Sequence, residues 1–153
     1  MQKKKWNQTD LSKNTGIHIS DISRILNHKL PLSLKKLDLI TKALGLMEGS
    51  LYSYYVKECF SDNKYADKRR SIQFLYKCAV YGYEKEFHDL LRVMMEETSH
   101  IMRAKYLTYI FSVAEKLFAV GNGEKALPLY ELIIEHTSDH SSGQLAISHF
   151  RKS

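Results

Sequence analysis

At 153 residues, with 44% hydrophobic and 26% charged side chains, the chain is long enough to bury one large or two small domains and has an ordinary soluble composition. Seven glycines, two prolines and few β-branched runs favour helices throughout, and no apolar run reaches the roughly eighteen residues of a membrane span. The formal charge of +6 is uneven: residues 1–50 carry nine Lys and Arg against four Asp and Glu, while residues 51–153 carry fourteen against thirteen. A polyanion is therefore an expected partner of the first third only.

The chain opens on a lysine run, Lys3 to Lys5, and Trp6. A helix is expected from Gln8 to Asn14, with Asn7 as its cap and Asp10 in its first turn, where a carboxylate suits the positive end. Gly16 is placed to turn left-handed at its C-terminus. His18 or Ser20 opens a second helix whose apolar positions Ile22, Ile25 and Leu26 follow the i, i+3, i+4 rule, and Asn27, His28 and Lys29 end it. After Pro31, Ser33 caps a third helix with an inward stripe of Leu34, Leu37, Ile40, Thr41 and Leu44, stopped by Gly45. Two short helices joined at a glycine, with a third packed across them, make a helix-turn-helix.

The runs Leu11-Ser12-Lys13, Thr15-Gly16-Ile17, Ile22-Ser23-Arg24-Ile25, Asn27 and Ser33-Leu34 with Leu37 resemble the lambda-repressor-like (XRE) DNA-binding domain over about forty residues. The resemblance implies that the second helix enters the major groove of double-stranded DNA and meets base edges with its N-terminal residues. Those are His18, Ile19, Ser20 and Ser23; Gln8 and Thr9 open the preceding helix near the DNA, and Arg24, Asn27 and Lys29 grip the backbone. Ile19 departs from the polar reader common in that family, and an isoleucine there is suited only to a thymine methyl. The family also has a full helix ahead of the motif. Here only Met1 to Trp6 precede it, so either that helix is shortened or the chain starts late.

From Glu48 onward the composition turns to tyrosine-rich amphipathic segments, and a boundary is expected at 47/48. Ser50 is expected to cap a helix over Leu51 to Phe60, ended by Ser61-Asp62-Asn63. Ala66 to Tyr81 follows, with Ile72, Leu75, Tyr76, Ala79 and Val80 on one face, and then Glu84 to Glu97 with Phe87, Leu90, Leu91, Met94 and Met95. A long helix from Ile101 to Val120, a Gly121-Asn122-Gly123 turn, a helix from Glu124 to His136 and a last one from Ser142 complete an all-α chain of antiparallel hairpins.

Over Leu107 to His140, the residues Ile110, Val113, Ala114, Leu117, Gly121, Ala126, Tyr130 and Ile133 occupy the spacing of a tetratricopeptide repeat, with Ser138 in place of the closing proline. Ala66 to Glu97 is similar in length to a second, degenerate helix pair. A helix-turn-helix head followed by such repeats resembles peptide-sensing regulators, and the stretch from Leu51 to Leu91 resembles the phage arbitrium receptors, which choose between lysis and lysogeny. This implies a transcription regulator controlled by a short signalling peptide, acting as a homodimer through its repeats. A solenoid also needs a capped end, and the final ISHFRKS is none, so the chain is either a fragment or a short relative.

Enzymatic motifs are lacking: there is no HExxH, no GxSxG and no phosphate-binding glycine loop. No cofactor or metal is expected, and the His136–His140 pair reads as solvated. Cys59 and Cys78, without CxxC spacing, fit reduced core residues of a cytoplasmic protein. Lys68-Arg69-Arg70 reads as a solvated face or an extension of a DNA contact, and Tyr52, Tyr54, Tyr55 and Tyr65 as a contact surface of which half is core. The competing class is a helical-repeat adaptor whose degenerate head touches no DNA.

Overall fold

The computed structural model describes residues 6–60, 65–137 and 142–153. The lysine run Lys3 to Lys5, the terminator Ser61-Asp62-Asn63, Ser138-Asp139 and His140 lie outside them. Every regular element of the described residues is an α-helix. The chain divides into two compact units, Met1–Ser61 and Asp62–Ser153.

In the first unit, α1 (Gln8–Thr15) starts on a reciprocal cap: Asn7 Oδ1 accepts from the Asp10 amide at 2.8 Å, and Asp10 returns by accepting from the Asn7 amide at 3.2 Å. It ends at Gly16, whose φ of 78° is open to glycine without strain. Helix α2 (Ile19–Leu26) follows after three residues, and α3 (Leu34–Ala43), capped by Ser33 Oγ on the Lys36 amide, packs against α1. Ile17, Ile22, Leu34, Leu37 and Thr41 are buried between them. Leu26, expected in the stripe of α2, is instead 56% exposed. It sits at the last residue of an eight-residue helix.

Helix α4 (Tyr52–Glu58) belongs to this first unit, so the expected change of domain at Glu48 falls inside it. Two tyrosines explain why. Tyr52 donates to Asp38 Oδ1 and Tyr55 to the Leu32 carbonyl, both at 2.8 Å, while their rings are buried. They are the expected core half of the four tyrosines, and Tyr54 and Tyr65 are the exposed half. Ser50 does not cap α4: its hydroxyl donates back to the Met47 carbonyl, and Leu51 is the N-cap, with no side-chain hydrogen bond.

The second unit runs α5 (Lys68–Tyr81), α6 (Glu84–Met95), α7 (His100–Ala119), α8 (Gly123–His136) and α9 (Gly143–Lys152). Successive helices pack as neighbours, and α5 also packs on α7. The core of the α7–α8 pair is Ile110, Val113, Ala114, Leu117, Ala126, Tyr130 and Ile133, all buried, with the turn made at Gly121 (φ 82°). The two alanines sit at 0% exposure, where any larger side chain meets packed neighbours. On α5 the buried stripe is Ser71, Phe74, Leu75, Cys78 and Ala79, turned by about one position from the expected one; Ile72, Tyr76 and Val80 are only half-buried. Arg70 is also buried rather than part of a solvated face, because the cap Asp67 holds its Nε at 3.4 Å. Cys59 and Cys78 are buried and form no disulfide.

The last helix is tied down by charge as well as by packing. Arg151 of α9 reaches Glu115 of α7 through Nε at 3.2 Å and Nη2 at 3.4 Å, and its guanidinium lies 4.0 Å from the Phe118 ring centre. Tyr130 of α8 donates to the same carboxylate. Burial raises the Glu115 carboxyl, but the hydrogen bonds from Arg151 and Tyr130 and the Arg151 charge outweigh it, so its pKa is lowered. Burial, and then the Glu115 carboxylate, push the Tyr130 phenol up.

Candidate nucleic-acid interface

The turn between α1 and α2 is built by two hydroxyls around Ile17. Ser12 Oγ donates to the Ile17 carbonyl at 2.6 Å, and Thr15 Oγ1 donates to the Leu11 carbonyl while accepting from the Ile17 amide at 3.1 Å. With Gly16 left-handed and Ile17 buried, these bonds fix the angle at which α2 leaves α1. In the sequence, Ser12 and Thr15 stand out only as family letters; their work is to position α2.

His18, not Ser20, is the residue that opens α2. Its ring Nδ1 accepts from the Ser20 amide at 3.2 Å and stands 2.7 Å from Ser20 Oγ. His18, Ile19 and Ser20 are exposed at the N-terminal end of the helix, with Ile19 at 40%. Ser23 is half-buried one turn on, and Ile22 beneath them is core. Gln8 and Thr9 are exposed at the N-terminal end of α1.

At its other end α2 closes on a left-handed residue that is not glycine, His28 at φ 57°. The His28 amide donates to the Ile25 carbonyl and the Lys29 amide to the Arg24 carbonyl, a paired closure that fixes where Lys29 leaves the helix. Asn27 Nδ2 donates to the Ser23 carbonyl at 2.9 Å, so its amide is committed to the helix. Arg24, Asn27 and Lys29 are all exposed. Two further residues of this face, Asp21 and Lys36, go unmarked in the sequence. Asp21 lies 3.9 Å from Arg24 and 3.8 Å from Lys36 of α3, an acid flanked by two cations. The (i, i+3) spacing of Asp21 and Arg24 is legible in the sequence; the reach from Lys36 needs the fold.

The arrangement is a short helix held out by a fixed turn, bearing a ring nitrogen, a hydroxyl and an aliphatic group at its tip and cations along its flank. Residues 1–57 match the family described as the Cro/C1-type HTH DNA-binding domain. The first unit carries a Cro/C1-type helix-turn-helix domain. Among the described residues that domain supplies α1 to α3 and most of α4, and α2 is the second helix of its turn. No match to the chain was found among curated proteins or among solved structures. The Cro/C1-type match ends at residue 57 and so speaks for the head, not for α5 to α9.

Among the described residues no cluster of three His, Cys, Asp or Glu side chains is arranged to hold a metal ion. No helix of the described residues is long and apolar enough to cross a membrane.

Proposed function

We propose that the chain is a sequence-specific regulator of transcription whose α2 enters the major groove of double-stranded DNA. The observation that carries this reading is the exposure of His18, Ile19 and Ser20 at the tip of α2, with Ile22 buried behind them in a Cro/C1-type head. In this reading His18, Ile19, Ser20 and Ser23 face base edges, and Gln8, Thr9, Arg24, Asn27 and Lys29 face the sugar-phosphate backbone. Lys36 joins the backbone group from α3. The excess of positive charge in residues 1–50 agrees with it. The adaptor reading has this exposed and cationic face against it.

The hairpins α5–α6 and α7–α8 are proposed as tetratricopeptide-like repeats, supported by the burial of seven residues at repeat spacing and by the packing of α5 on α7. By resemblance to the arbitrium receptors they serve as the sensor for a short signalling peptide and as the homodimer contact. Two heads on one DNA face then stand about 34–36 Å apart on an inverted repeat. The test is selection of bound duplexes from a random pool, followed by sedimentation of the chain with and without the selected site. A palindromic site and a two-chain complex are expected. A single half-site held by one chain overturns the dimer, and the absence of any selected sequence overturns specific recognition.

A further inference from the structure

The tip of α2 carries more chemical information than exposure alone, and its meaning rests on the proposed binding of DNA. A backbone N–H can only donate. The Ser20 amide sits 3.2 Å from His18 Nδ1 in hydrogen-bond geometry, so Nδ1 carries a lone pair and the neutral ring keeps its proton on Nε2. Ser20 Oγ lies 2.7 Å from the same Nδ1. With no proton on that nitrogen, the hydroxyl must be the donor of this contact, and its oxygen is left with lone pairs alone to offer outward. Helix capping thus fixes the polarity of two adjacent exposed side chains before any ligand arrives. His18 presents a donor, Ser20 presents an acceptor, and Ile19 presents methyl groups between them.

We infer that His18 and Ser20 read base edges with fixed and opposite hydrogen-bond polarity, His18 donating to a purine N7 and Ser20 accepting from an exocyclic amine. In the major groove a lone donor finds N7 of either purine, O6 of guanine or O4 of thymine, and N7 is the acceptor that both purines share. A lone acceptor finds the N6 amine of adenine or the N4 amine of cytosine. Ile19 adds a thymine methyl. With His18 on N7, the half-site holds a purine for His18, a thymine for Ile19, and an adenine or cytosine for Ser20. Neither polar residue has to select a rotamer or tautomer on binding, so the discrimination is preorganised.

The test uses the whole chain and a duplex selected from a random pool. Each purine of the site is replaced in turn by its 7-deaza analogue, which lacks the N7 acceptor, and each thymine by uracil. One 7-deaza position is expected to weaken binding roughly two- to tenfold, the value of a single hydrogen bond. In His18→Asp, which keeps an acceptor for the cap and has no donor to offer, that position becomes insensitive while the thermal midpoint is retained. Nitrogen-15 spectra of the free protein report the Nε2–H tautomer independently of DNA. Retained sequence preference with no effect at any 7-deaza position overturns the assignment to N7, as does sensitivity to an uncharged methylphosphonate in place of the base change. An Nδ1–H tautomer overturns the fixed polarity. Binding without any sequence preference instead overturns the DNA-reading function on which this inference stands.

Discussion

Replacing Asp21 with Asn removes the single negative charge from the exposed face of α2, and its effects on folding and on DNA binding have opposite signs. In the free protein the carboxylate pairs with Arg24 at 3.9 Å and Lys36 at 3.8 Å, with side chains that are 62% and 29% exposed. Exposed pairs of this kind contribute about 0.2–1 kcal/mol each. A carboxylate in the first turn of a helix adds about 0.3–1 kcal/mol. Asp21→Asn should therefore lower the stability of the head by about 0.7–3 kcal/mol. On DNA the balance reverses. A carboxylate about 7 Å from a phosphate is repelled by about 0.6 kcal/mol in water, which is close to a threefold change in affinity. Both cations are also released toward the backbone. Affinity for a random duplex should rise about threefold, and the salt slope should steepen by up to about one unit. Fluorescence anisotropy between 50 and 200 mM salt, well below the thermal midpoint, measures both (roughly the range over which counterion release is resolved). Unchanged or weaker binding, with an unchanged slope, would refute the placement of Asp21 and its two cations on the DNA face.

Three further outcomes are expected. Arg24→Ala and Lys29→Ala should each weaken binding on all sequences alike and flatten the salt slope by about 0.9 unit, read in the same titration. Ala126→Leu should overfill the α7–α8 contact at a site with no exposed surface and cost about 1–3 kcal/mol; an unchanged thermal midpoint would mean that α8 packs in another register. Glu115→Gln tests the tie of α9. The folded carboxyl lies below its ordinary 4.5, so its contribution is present above that pH and is lost as pH falls through the lowered folded value. Thermal midpoints followed downward from pH 7 should therefore fall less steeply for the variant across the acid range. Parallel acid limbs would show that Glu115 is not coupled to folding.

The head was legible because its signals are local. Asn7 and Asp10 are three residues apart, Gly16 needs only its own φ, and the buried Ile22 follows from helical spacing, so the sequence carried them without knowledge of neighbours. Features that depend on reach were not legible. Leu26 obeys the period of α2 yet lies in its final turn, and periodicity says which face a residue shares, not how far α1 and α3 extend over it. Half of the four tyrosines Tyr52, Tyr54, Tyr55 and Tyr65 were expected to be core, but which half depended on Asp38 and the Leu32 carbonyl, 14 and 23 residues away, as partners for the Tyr52 and Tyr55 hydroxyls. On α5 the polar Ser71 and Arg70 lie on the buried side and break the apolar pattern, so the expected stripe kept the buried Leu75 and Ala79 but added the half-buried Ile72, Tyr76 and Val80. Pro128 lies inside α8, where it removes one backbone donor without ending the helix. For the interface, the nine expected residues were placed by resemblance, and eight are exposed, with Ser23 half-buried. The hydroxyl frame of Ser12 and Thr15, the cap role of the His18 ring and the left-handed His28 came only with the backbone.

In the proposed function α2 and its flanking cations are the surface that meets duplex DNA. Amide NMR of the whole chain, titrated with the selected duplex, tests it most directly. Shifts are expected to concentrate at Gln8, Thr9, His18 to Ser20, Ser23, Arg24, Asn27, Lys29 and Lys36, with α7 and α8 unmoved at the first equivalents. Shifts confined to α5 through α9, or none at saturating duplex in low salt, would contradict it.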